Sequence, residues 1–201
     1  MNLGLGNLAE LKRNVLPEAL LASDQFDALL IDLGKGVATE METFCNRCFG
    51  RVAGEVDQFY GNRSYWILRR FPFETIASVE VQNGYAEAGV VQTSAIRSAD
   101  EKTGVVDFGA VLGVKYDRIK ITYTGGFWFD TSENGSGTLP GGATALPADL
   151  SHAWHMQCQR VFEQRDSLGV GSIKEKRTDV GNADWLPAVS KILTSYVRFV
   201  S

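Results

Sequence analysis

The sequence predicts an α+β fold, mainly a helical bundle with an inserted small antiparallel β-sheet and an extended C-terminal segment. Apolar residues recur every three to four positions up to Cys48 and again after Pro147 and Pro187, while between Tyr65 and Tyr123 the period shifts towards two. No internal repeat interrupts this order. With 201 residues, 44% of them hydrophobic and 22% charged, the chain is long enough to bury a core.

The first helix is expected over 7–16. Asn7 and Glu10 form a capping box, Leu8, Leu11, Lys12 and Val15 follow helical spacing, and Pro17 ends the run. A second helix is expected over 23–48, capped by Ser23 or Asp24. Its apolar stripe runs from Phe26 through Leu29, Leu30, Leu33, Val37, Met41 and Phe44 to Cys45 and Cys48. Gly34 and Gly36 interrupt it at a cost of about 1 kcal/mol each relative to Ala, which predicts close approach of a neighbouring backbone.

A β insertion is expected over 64–124. Its strand candidates are Tyr65–Leu68, Ile76–Val81, Val90–Thr93, Val105–Phe108 and Ile119–Tyr123, parted by turn signals at Asn83-Gly84 and Thr103-Gly104. Gly125-Gly126 and the Gly-, Ser- and Thr-rich tract from Asn134 to Gly142 predict a flexible loop over 125–147. A third helix is expected over 149–166, with Trp154, Cys158, Val161 and Phe162 on one side. The core is thus assigned to 1–168. The remainder, 169–201, reads as a polar connector, Gly169 to Asp184, that orders only when a partner covers it, and a helical segment from Pro187 to Val200.

The formal net charge of -4 argues against a protein whose main task is gripping phosphates, because the bases are scattered and not gathered into a stripe. Neither a cleaved leader nor a membrane span is expected: the opening residues are uncharged, and the apolar runs fall short of the ~20 residues a span needs. Three cysteines cannot make a full disulfide framework.

Candidate chemistry is sparse. Gly4, Gly6 and Ala9 match the letters of a dinucleotide fingerprint, but only three residues precede Gly4, too few for the strand that motif requires. Cys45 and Cys48 form a CxxC on the apolar stripe, and structural zinc would need a second ligand pair, so they read as core thiols together with Cys158. His152, His155, Gln159 and Glu163 share one face of the third helix, a spacing suited to a metal site or an acid-base pair. Trp154 and Phe162 hold the opposite face, which favours a polar surface at a subunit contact. No catalytic, cofactor-binding or metal-ligating residue is assigned, and the chain is expected not to be an enzyme.

Several phrases in order resemble one family. Leu8-Ala9-Glu10-Leu11-Lys12 is similar to an opening helix, and the long helix to Phe44 resembles a second. Leu68-Arg69-Arg70-Phe71-Pro72-Phe73 followed by Ile76-Ala77-Ser78-Val79 looks like an apolar-Pro pair leading into a strand. Ile119 to Gly126 resembles a last strand with its glycine exit, Leu146 to Leu150 a helix opening that Arg165 closes, and Leu186-Pro187 to Phe199 a C-terminal segment with Leu193 and Tyr196 at its end. The family is that of the head-tail connectors, or adaptors, of long-tailed bacteriophages. The loop from Trp128 to Ala145 departs from the family, being longer and richer in glycine, so its contacts are not carried over.

The resemblance implies a virion structural protein assembled in the host cytoplasm, with no cofactor and no membrane partner. It implies a ring of twelve copies beneath the portal protein, a stopper or tail protein docking below, and DNA passing through the lumen without specific binding. It also implies that the C-terminal segment docks on the portal, with Trp185, Leu186, Leu193, Tyr196 and Phe199 as the expected anchors, the alternative being that this helix packs on its own domain; His152, His155, Gln159 and Glu163 are subunit-contact candidates from their shared helix face. A different neck component, a stopper or tail-completion protein, is the first alternative. A thiol- or metal-dependent enzyme built on Cys45, Cys48, Cys158, His152 and His155 is the second.

Overall fold

A computed structural model describes residues 3–83, 89–132, 136–164 and 185–199. The chain forms two compact units. One comprises Met1–Cys45, Phe129–Thr138 and Leu146–Val197, and the other Asn46–Trp128, Leu139–Ala145 and Arg198–Ser201.

The first unit is helical: α1 (Leu8–Val15), α2 (Asp27–Cys45), α3 (Ala148–Gln164) and α4 (Pro187–Thr194). Asn7 caps α1 by accepting the Glu10 backbone N–H at 2.9 Å, and Pro17 follows the helix end. The apolar stripe of α2 turns Leu30, Val37, Met41 and Cys45 inward. With Leu11, Leu150, Trp154, Cys158, Val189 and Leu193 they make the core of this unit. α2 stops at Cys45 because Asn46 takes a left-handed conformation, φ 50°, which Asn tolerates better than most side chains.

Gly34 has the close neighbour that its cost predicts, although a side chain supplies it and not a backbone. The Trp154 ring lies 3.1 Å from where a Cβ at 34 would stand, and its indole N–H donates to the Gly34 carbonyl at 3.0 Å. Around Gly36 no described residue comes within 4 Å of where a Cβ would stand.

The second unit holds nine strands among the described residues. β1 (Val52–Tyr60), β3 (Phe73–Gln82), β4 (Val90–Val91) and β7 (Arg118–Gly125) form an antiparallel sheet in the order β1-β7-β3-β4. β2 (Arg63–Ile67), β5 (Ser98–Asp100) and β6 (Val105–Leu112) form another, ordered β2-β6-β5. β8 (Phe127–Trp128) and β9 (Thr144–Ala145) pair in parallel. Inward residues of the two larger sheets, among them Trp66, Phe73, Val79, Val106, Phe108, Ile119 and Ile121, join in one apolar cluster, as period-two alternation requires. Arg47, 5% exposed, stacks its guanidinium on the Phe71 ring at 3.4 Å and donates to the Phe71 carbonyl.

The expectation of a mainly helical bundle is therefore wrong. Among the described residues, helix and strand take about 34% and 31%, and the strands build a unit with its own core, not a small insertion in a bundle. Four of the nine strands, β1, β5, β8 and β9, fall outside the five that were expected, and two of them show why. β1 carries a register irregularity between Val52 and Glu55, with Gly54 at φ 69°, and β5 is three residues long and exposed throughout. Neither shows the apolar alternation by which a strand is recognised.

The described part of the expected flexible loop has structure. Within the helical unit, the Asp130 carboxylate accepts the backbone N–H groups of Ser132 and Gly137, each at 2.8 Å; the Ser132 side chain first, and then these N–H groups, hold its acid below the usual carboxylate range. Arg165 and the connector Gly169 to Asp184 lie outside the described residues.

Candidate interaction surfaces

Three thiols mark where chemistry would begin, and packing accounts for two of them. Cys45 and Cys158 are buried; the Cys45 thiol donates to the Leu193 carbonyl at 3.4 Å, and burial pushes the Cys158 thiol far above its ordinary value. Cys48 lies beyond the end of α2, half-buried in the β unit, so the CxxC does not share one helix face. No group of three or more His, Cys, Asp or Glu side chains suited to a metal ion occurs among the described residues.

The polar face of α3 lies at the surface for three residues. His152, Gln159 and Glu163 are exposed, and the Gln159 amide donates to Glu163 Oε1 at 2.9 Å. His155 is half-buried beside Trp154, with ring centroids 4.9 Å apart. Burial, then the neighbouring His152, lowers its pKa, so its neutral form is favoured.

The C-terminal residues divide. Leu193 is fully buried in the helical unit. Trp185 packs edge-on against Phe44, with centroids 6.1 Å apart, while the Leu186 N–H donates to Gln157 at 3.3 Å. The Tyr196 hydroxyl donates to Asp149 at 2.7 Å. Phe199 stands 79% exposed, the one of the five that presents most of an apolar side chain to solvent. Beside it, Arg198 belongs to the β unit and donates to the Ile67 carbonyl at 2.8 Å.

The β unit also contains a buried polar network that sequence reasoning missed. Asp57, 2% exposed, accepts the Tyr123 hydroxyl at 2.9 Å and the Arg69 N–H at 2.7 Å through one carboxylate oxygen, and the Tyr123 oxygen in turn accepts the Arg70 N–H at 3.0 Å. Strand alternation puts Tyr123 inside, and a buried hydroxyl requires a partner. Burial, and next the Asp57 charge, raise the Tyr123 phenol well above its usual value.

A raised folded pKa gives stability that is complete below the unfolded phenol value, about 10, and is lost as pH rises above it. Urea midpoints measured from pH 8 to 11 are therefore expected to fall steeply above pH ~10. Tyr123→Phe should flatten that fall. An unchanged slope in the variant would remove Tyr123 as its cause.

A second surface was hidden in the sequence because it needs two distant turns. The Gly61 N–H donates to the Asp117 carbonyl at 2.9 Å and the Asn62 N–H to the Leu112 carbonyl at 3.1 Å, which ties the β1–β2 turn to the β6–β7 turn. The tip so formed exposes Tyr60 at 75% and Tyr116 at 74%. Both line one hollow with Arg63 and Lys115.

No protein-family model and no curated protein sequence matches the chain. Its fold does have solved counterparts. A chain in the neck of an empty gene transfer agent particle, computed with C6 symmetry, is similar with a TM-score of 0.60 at 16% identity, covering 96% of this chain and 90% of that one. A chain in the virion of a native gene transfer agent particle is similar with a TM-score of 0.58 at 14% identity, over 96% of this chain and 90% of that one. At such identities the likeness is one of fold.

Proposed function

We propose that this chain is a structural, non-enzymatic subunit of the neck of a phage-like particle, the adaptor that forms a ring between the portal and the stopper or tail proteins. The observation that carries this reading is the fold shared with a neck chain over 96% of the length. The ordered sequence phrases that resemble phage head-tail adaptors support it independently. In this reading the ring holds twelve copies, a number divisible by the sixfold symmetry of that neck, and the acidic balance lets DNA slide through the lumen because phosphates find little to hold them.

The portal contact is assigned to the C-terminal residues that remain partly or fully at the surface, Trp185, Leu186, Tyr196 and above all Phe199. Leu193 serves there only by holding α4 in place. His152, Gln159 and Glu163 remain proposed subunit contacts, with His155 beneath them.

Co-expression of the full chain with the portal and, separately, with the tail-side protein tests the assignment by affinity capture and electron microscopy. Ring density beneath the portal, weakened by Phe199→Ser, is expected. A chain that joins only the tail-side protein is a stopper instead, and one that joins neither ends the neck reading.

A further inference from the structure

Among the described residues, nothing requires Gly36 to be glycine. It sits in the middle of α2, where Gly costs stability relative to Ala, and an added Cβ would meet nothing. Gly34, two residues earlier, is explained by Trp154; Gly36 is exposed. A helix glycine in open space leaves a shallow gap that an outside group is able to enter closely. Asp32 and Glu40, four residues to either side on the same helix face, are also exposed and place acids at both ends of the gap. Lys35 is the sole basic residue of α2, against four acids.

The β unit carries the opposite features. Its tip presents two tyrosines, each about three-quarters exposed, on a base of tied turns, and the Lys115 ammonium lies 5.8 Å from the Tyr116 ring centroid. Aromatic side chains left out in water on a rigid support, with cations at their rim, have the make-up of an interface anchor. The charge of the whole chain divides the same way. The helical unit holds nine Lys and Arg against fifteen Asp and Glu, and the β unit eleven against nine.

We infer that the Tyr60–Tyr116 tip of one copy seats on the Gly36 gap of α2 in the next copy, with Lys115 facing Asp32 or Glu40. Two different patches meet, so the contact is heterologous, the kind that builds a ring when its rotation closes. This rests on the ring reading above and adds a subunit contact to the α3 face proposed there. Tyrosine fills a gap left by a missing side chain at low entropic cost, and the charge pairs fix its register.

Mixed cross-linking of full-length chains tests the contact. Copies carrying Gly36→Cys are mixed with copies carrying Tyr116→Cys, oxidised, and the 36–116 disulfide is identified by peptide mass spectrometry. Its yield should exceed that of Gly36→Cys mixed with Ser98→Cys, an exposed position on β5, by about tenfold, since apposed thiols act at a high effective concentration. Lys115→Glu on the Tyr116→Cys copy should lower the yield, and Asp32→Lys on the Gly36→Cys copy should restore it.

Gly36→Leu serves as a second arm. Open space around the residue keeps the fold, so its melting temperature should equal or exceed that of the parent while ring assembly is lost. Equal yields at positions 98 and 116, or rings that form undiminished from the Gly36→Leu variant, would overturn the contact. If either occurs while portal capture succeeds, the neck reading stands without it; if portal capture also fails, both fall.

Discussion

Trp154→Ala is expected to lower the unfolding free energy by about 3–5 kcal/mol, the largest effect of any single side chain in the helical unit. Trp154 is fully buried, and the atoms removed are the ones α2 was shaped to receive. A cavity would open against Gly34 and Gly6, where the ring stands 3.1 Å and 2.8 Å from the positions a Cβ would take. Glycine has no side chain with which to refill that space, so the site cannot collapse around the loss. The Gly34 carbonyl would also lose its indole donor. Urea unfolding followed by circular dichroism measures the change, and a loss below about 1 kcal/mol would show that the helices repack without the ring.

In the β unit the comparable loss is expected from Asp57→Ala, about 2–5 kcal/mol. The carboxylate oxygen that receives both the Tyr123 hydroxyl and the Arg69 N–H disappears. Burial prevents water from replacing it fully, and each stranded donor carries its own desolvation cost. Asp57→Asn keeps an acceptor of the same shape and should recover part of the difference. The double variant with Tyr123→Phe should cost less than the two single changes added, because they disrupt one network. Strict additivity in that cycle would show that the two side chains act apart.

These two positions also show what was legible beforehand. Trp154 could be placed in a core from helical spacing alone, and the capping of α1 by Asn7 from its distance to Glu10. Strands β3, β6 and β7 stood out through β-branched alternation, although each runs further than the pattern suggested. Asp57 and β1 were not legible, because Gly54 and the irregular pairing after Val52 break the alternation that would have revealed an inward-facing acid. Of the proposed docking residues, helical spacing marked Leu193 as apolar but carried no information on whether its face meets a partner or its own unit. The Tyr60–Tyr116 tip depends on hydrogen bonds between turns far apart in sequence, and local pattern does not register such pairing.

The division of the chain between its two units bears on synthesis at the ribosome. The β unit takes nearly all of its residues from one unbroken stretch, Asn46–Trp128, whereas the helical unit begins at Met1 and needs Leu146–Val197 to finish. α2 thus emerges with Leu30, Val37 and Met41 lacking the α3 surface that covers them, and about 100 further residues must be translated before that surface exists, an interval of roughly 5–20 s at ordinary elongation rates. During it, the nascent chain offers an uncovered apolar helix to solvent while the β unit behind it closes. The unit begun first is completed last, and a chaperone that shields the first 45 residues would act in that interval.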